Sequence, residues 1–120
     1  MKIQELTAQG FEALVSPFET YPEGWAFRGS RPCVVDFHAP WCVYCVRLSP
    51  ILDELAEEFA GRVDFYKVDV DKEPLLEAAF RIRTIPQLLF CSGQGQPVMK
   101  LGTLTKAQLK PMIEALLIEG

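Results

Sequence analysis

The 120-residue chain has no apolar run approaching the roughly 18 residues that a membrane helix needs. It has no internal repeat and no low-complexity stretch, which excludes solenoid and linker architectures. It is short of positive charge: 12 basic residues face 16 acidic ones, for a net charge of −4. A nucleic-acid binder needs a basic face to release phosphate counterions, so this balance argues against nucleic acid as a partner. There is a single histidine, His38, and a single C-x-x-C, Cys42 to Cys45. Structural zinc takes four ligands, often from two paired-cysteine knuckles, and no second knuckle exists. Four cysteines (Cys33, Cys42, Cys45 and Cys91) are too sparse for a disulfide scaffold in a chain that is 49% hydrophobic. The opening run, Met1-Lys2-Ile3-Gln4-Glu5-Leu6, lacks the apolar core of a signal peptide. The expected compartment is therefore the cytoplasm, or the periplasm if a leader has been removed.

What is present describes one globular domain, residues 1–120, able to bury a single core. Residues 3–6 are a weak strand. Residues 6–15 read as a short helix capped by Thr7, with Phe11, Leu14 and Val15 at helical spacing. Residues 16–32 are rich in proline, glycine and aromatics (Phe18, Tyr21, Trp25, Phe27). Leaving those rings in water is costly, so the segment is expected to be an ordered excursion packed on the domain. Residues 33–37 suit a buried strand, with Asp36 inside it. Residues 42–59 carry Leu48, Ile51, Leu52, Leu55 and Phe59 at three- and four-residue steps, a helix expected to kink at Pro50. A strand over 63–70, a helix over 71–80 and a hairpin of strands 87–91 and 98–101 follow. Thr105 and Gln108 form a capping box for a last helix, in which Pro111 predicts a kink or a later start. A βαβ half followed by a ββα half implies an α/β fold: a central mixed sheet flanked by helices on both faces.

The step from strand to helix at residues 39–45 carries the chemistry. Cys42 falls at a helix N-terminus, where unpaired N–H groups and the helix dipole favour an anion. The thiolate is the reactive form of cysteine. Cys45 lies one turn on and deeper, so the sulfurs can meet. Cys42 is thus the candidate attacking thiol and Cys45 the one that resolves a mixed disulfide. The alternative is two unrelated core cysteines.

The run Val34-Val35-Asp36-Phe37-His38-Ala39-Pro40-Trp41-Cys42-Val43-Tyr44-Cys45 resembles the thioredoxin family. So do Ser49-Pro50-Ile51-Leu52-Asp53-Glu54-Leu55-Ala56, Val68-Asp69-Val70-Asp71, Arg83-Thr84-Ile85-Pro86-Gln87-Leu88 and Lys100-Leu101-Gly102. The resemblance implies the thioredoxin fold, with residues 16–32 as a variant of its N-terminal part. It implies that Pro86 is cis, and that Ile85 offers its backbone beside the dithiol to an extended substrate segment. Trp41, Ile85, Pro86 and Gly102 would form the apolar contact surface, with Tyr44 beside them. Asp36 would be the buried acid and Lys67 its neighbour. Burial raises a carboxylate pKa, so Asp36 would take the Cys45 proton through a water; a structural Asp–Lys pair is the alternative. The resemblance further implies no cofactor beyond the redox-active disulfide and no metal. It implies protein disulfides as substrates, an upstream reductase and a monomer.

Four features depart from the family. Val43-Tyr44 replaces Gly-Pro between the cysteines, which predicts a disulfide that is easier to reduce. Val46 replaces a basic residue, removing a positive charge that would favour the thiolate. His38 stands where an aromatic is usual and shares a face with Asp36, either perturbing that proton or serving as a surface ring. Cys33 and Cys91 fall on neighbouring antiparallel strands at the far end from the dithiol: two buried thiols by default, a second disulfide as the alternative. The expected activity is reduction of protein disulfides. Its rivals are a disulfide oxidant or isomerase, and a binding module with an idle dithiol.

Overall fold

The computed structural model describes residues 3–119, with side chains through 118. Met1 and Lys2, the start of the N-terminal run read above, lie outside them. The elements are β1 (Gln4–Glu5), α1 (Ala8–Leu14), β2 (Cys33–His38), α2 (Val43–Glu58), β3 (Asp64–Asp69), α3 (Pro74–Ala79), β4 (Gln87–Cys91), β5 (Val98–Leu101) and α4 (Lys106–Glu119). Their order along the chain is the expected one. The strands form one sheet in the order β1-β3-β2-β4-β5. β1, β3 and β2 run parallel, while β4 is antiparallel to both β2 and β5.

Alternation along β2 builds two cores. Cys33, Val35 and Phe37 join Phe11, Val15, Leu76 and Phe80 on the face covered by α1 and α3. Val34 faces the other way, with Leu48, Leu52 and Leu55 of α2 and Leu109 and Ile113 of α4. Asp36 and His38 share that second face by the period-two rule. Residues 16–32 are ordered on the first core. Phe80 binds the segment down: its ring centre lies 4.6 Å from Tyr21 and 6.4 Å from Trp25, with Phe37 and Phe11 at 5.5 and 5.4 Å on its other sides. Such pairs add about 0.5–1.5 kcal/mol each beyond area burial.

The helix over 71–80 is shorter than expected. The residue before a proline is pushed out of the α region, and Glu73 sits at φ −120°, ψ 68°, so α3 cannot begin before Pro74. Residues 71–73 instead fold back on Asp69, whose carboxylate accepts the Asp71 amide at 3.0 Å and whose carbonyl accepts from Lys72 and Glu73. α2 continues through Pro50, which is exposed, so the carbonyl it leaves unpaired faces water. α4 starts at Lys106, before Pro111, because the Thr105–Gln108 box closes as read: Gln108 N donates to Thr105 Oγ1 at 3.2 Å and Thr105 N to Gln108 Oε1 at 2.9 Å.

Candidate functional site

β2 ends at His38, and after four intervening residues α2 begins at Val43, so its free N-terminus lies at the end of the central strand. Cys42 is the N-cap. Its backbone is extended, and its Sγ accepts the Cys45 amide at 3.2 Å. A sulfur here replaces the oxygen acceptor that usually satisfies the first-turn N–H groups. The same sulfur lies 3.8 Å from the Ile85 carbonyl, to which its S–H donates. The Ile85–Pro86 bond is cis. The dithiol and the Ile85 backbone, 43 residues apart in the chain, are thus in contact. Both thiols are free and buried.

Cys45 is the deeper of the two in its chemistry. Burial, and then its hydrogen bond with Cys42, push its pKa up to about 12. Near neutrality it stays a thiol until a base removes its proton. Asp36, only 2% exposed, lines one cleft with Cys45. Burial raises its pKa to about 7; nearby Lys67 opposes the rise and Glu5 adds to it. Asp36 and Lys67 are register partners across β2 and β3. Lys67 Nζ donates to Ser49 Oγ at 3.3 Å, while Asp36 Oδ1 accepts no hydrogen bond. Asp36, His38, Cys45, Ser49 and Lys67 line a cleft of about 180 Å³, which has room for several waters. His38 is half-buried, with Nε2 3.3 Å from Glu5 Oε1.

Around the sulfurs the surface is apolar and open. Trp41 is 69% exposed, and Val43, Tyr44 and Val46 are exposed with it. Trp41 Nε1 donates to Asp71 Oδ2 at 2.7 Å, which fixes the ring. The Arg47 guanidinium lies 5.7 Å over the Tyr44 ring. Ile85 is half-buried, whereas Pro86 and Gly102 are buried. Those two form the floor under the apolar surface and not part of its open face. Gly102 N donates to the Pro86 carbonyl at 2.8 Å, and a Cβ on Gly102 would lie 3.2 Å from both Pro86 and Leu48. Reading the sequence missed Asp71, Ser49 and Glu5. Asp71 and Glu5 reach the site from other elements, and Ser49 stands on α2 one turn after Cys45; no local pattern marks any of them.

A dithiol capping the helix after the central strand, facing a cis-proline loop, defines a thiol–disulfide oxidoreductase. The chain belongs to the thioredoxin family, whose sequence model matches residues 5–115. It is 37% identical over 109 residues to the thioredoxin of Borreliella burgdorferi, covering 91% of this chain and 92% of that one. It is 43% identical over 82 residues to the thioredoxin of Haemophilus influenzae, covering 68% and 77%. Its fold is similar to the crystal structure of chloroplastic thioredoxin z, with a TM-score of 0.80 and 26% identity over 100% of this chain and 97% of that one. Its activity is thioredoxin-type thiol–disulfide exchange. No helix among the described residues is long and apolar enough to cross a membrane.

Proposed function

We propose that Cys42 and Cys45 carry the exchange and that its net direction is reduction of disulfides in other proteins. The observation that carries this reading is the contact of Cys42 Sγ with both the Cys45 amide and the Ile85 carbonyl. The first places that sulfur at a helix N-terminus with an N–H donor directed at it. The second puts that sulfur beside backbone groups with which an extended substrate segment pairs.

The Cys42 thiolate attacks one sulfur of the substrate disulfide. A Cys42–substrate S–S bond forms, the substrate's own S–S bond breaks, and the leaving thiolate takes a proton from solvent. Asp36 then accepts the Cys45 proton through water in the shared cleft, with Lys67 and Ser49 holding the charge of that cleft in place. The Cys45 thiolate attacks Cys42 Sγ, an intramolecular disulfide forms, and the second substrate thiolate leaves. Two electrons have passed to the substrate. Trp41 and Tyr44 supply the open apolar surface for docking, Ile85 the pairing backbone, and Pro86 and Gly102 the floor. No cofactor beyond the disulfide takes part. A reductase recharges the pair, and the protein acts as a monomeric, single-domain carrier in the cytoplasm, away from membranes and nucleic acid.

The test is insulin reduction by the wild type and by Cys42→Ser. The substituted protein should lose activity to the background rate. Undiminished turnover would remove Cys42 from the mechanism and leave the binding-module reading.

A further inference from the structure

Cys33 and Cys91 play no part in the exchange just described. They face each other directly across β2 and β4. The backbone hydrogen bonds define the kind of pair they make. Asp64 N donates to the Pro32 carbonyl and Val70 N to the His38 carbonyl, so even-numbered residues of β2 turn their backbone groups to β3. Odd-numbered ones, Cys33 included, turn theirs to β4. Gly102 N donates to the Pro86 carbonyl, which sets Cys91 facing β2 by the same alternation. Cys33 and Cys91 are therefore a hydrogen-bonded antiparallel pair, with a Cα separation of about 5.5 Å. A disulfide usually has its Cα atoms roughly 4.4–6.8 Å apart, and closure must also draw the two Cβ atoms to roughly 3.5–4.5 Å. Directly opposed side chains lie on the same face of the sheet, and Cys91 is near enough to help hold the Cys33 thiol well above its ordinary pKa.

The excursion at 16–32 packs on the core that buries them. Both thiols are buried in the core on which Tyr21, Trp25 and Phe27 pack. The Phe27 ring lies 3.6 Å from where a Cβ on Gly93 would be, two residues past Cys91. The excursion is tied at its ends by Ser16 N to the Phe11 carbonyl, Asp64 N to the Pro32 carbonyl and the Arg31–Asp64 ion pair, and between them by Arg28 N to the Val15 carbonyl, Ala26 N to Ser16 Oγ and Gln96 Nε2 to the Pro22 carbonyl. Beyond buried Phe18, residues 21–27 are held mainly by the half-buried rings of Tyr21, Trp25 and Phe27, and such a loop opens locally at less cost than the sheet beneath it.

We propose that Cys33 and Cys91 are a second redox-active thiol pair, gated by the 16–32 strap, which closes to an intramolecular disulfide by exchange with low-molecular-weight disulfides. One of the two sulfurs, as a thiolate, attacks a sulfur of the small disulfide. A mixed disulfide forms, and one small thiol leaves with a proton. The partner cysteine gives up its proton and attacks the protein-side sulfur. The Cys33–Cys91 bond forms, and the second small thiol is released. The protein pair is oxidised by two electrons, and the small disulfide is reduced to two thiols.

The experiment treats the full-length Cys42→Ser/Cys45→Ser chain with glutathione disulfide. It follows intact mass and the thiols that titrate after unfolding. The chain should lose both remaining thiols and two hydrogen atoms, and peptide mapping should join the Cys33 and Cys91 peptides. Phe27→Ala in the same background should speed closure about tenfold, because it removes part of the cover. Unchanged mass with both thiols free overturns the proposal. So does a glutathione adduct that never closes, or a bond between chains. If the double variant does not fold, the wild type supplies the count: full oxidation should leave no free thiol, and two persisting thiols refute the pair.

Discussion

Asp36 and Lys67 stand opposite each other on β2 and β3, yet the lysine ammonium donates to Ser49 Oγ, and Asp36 Oδ1 has no hydrogen-bond partner. The carboxyl is therefore buried with its charge only partly compensated. Burial dominates, and its pKa rises from 3.8 to about 7.

Stability should depend on pH through this group. Between about pH 4 and pH 7 the folded protein keeps the Asp36 proton and the unfolded chain does not. Its contribution is thus fully present below about pH 4 and is lost as pH rises through 7. That rise corresponds to at most about 4 kcal/mol. Urea unfolding should show wild-type stability falling across that window. Asp36→Asn should flatten the fall and be the more stable protein at pH 8; a less stable variant there would contradict the assignment.

A second substitution at Asp36 should separate the two steps of exchange. Asp36→Ala should slow resolution of a Cys42 mixed disulfide by about a hundredfold, the scale of a positioned general base. Alkylation of Cys42 should change little. Stopped-flow release of the second thiol, beside an iodoacetamide time course, reads both. Equal slowing of the two would leave Asp36 a structural role only.

Gly102→Ala should lower stability by about 1–3 kcal/mol, because its Cβ meets Pro86 and Leu48 at 3.2 Å in a packed floor. Displacing Pro86 also moves the Ile85 backbone, so KM for insulin should rise more than kcat falls. A variant with wild-type Tm and KM would show that the floor yields freely.

Much of this was legible in the chain. Spacing along 42–59, the Thr105–Gln108 box and the apolar run at Cys33 each encode their element locally, and each element forms. The cysteine pair at a strand-to-helix step pointed to the end of the sheet where the proposed exchange takes place. The placement of Cys33 against Cys91 followed once the strands were ordered. The remainder depends on register between distant segments. β1 pairs with β3, which brings Glu5 to His38 and into the field of Asp36. The turn after β3 delivers Asp71 to Trp41. Gly102 reads as a surface residue next to exposed Leu101 until the backbone bond to Pro86 draws it under the loop.

Val43 and Tyr44 are exposed between the sulfurs and bring no proline to the first turn of α2. The reduction potential of the Cys42–Cys45 pair should therefore be less negative than the roughly −270 mV of thioredoxin. Equilibration with glutathione of known ratio, read on a chain lacking Cys33 and Cys91, measures it. A value at or below that of thioredoxin would deny any influence of the intervening pair.

Trapping tests the division of labour between the two sulfurs most directly. Cys45→Ser, mixed with a disulfide-bonded protein and digested without reductant, should hold the target on Cys42 as a mixed disulfide that persists for hours. Cys42→Ser should hold none at Cys45. A stable adduct on Cys45, or none on Cys42, would contradict the assignment of Cys42 as the attacking thiol.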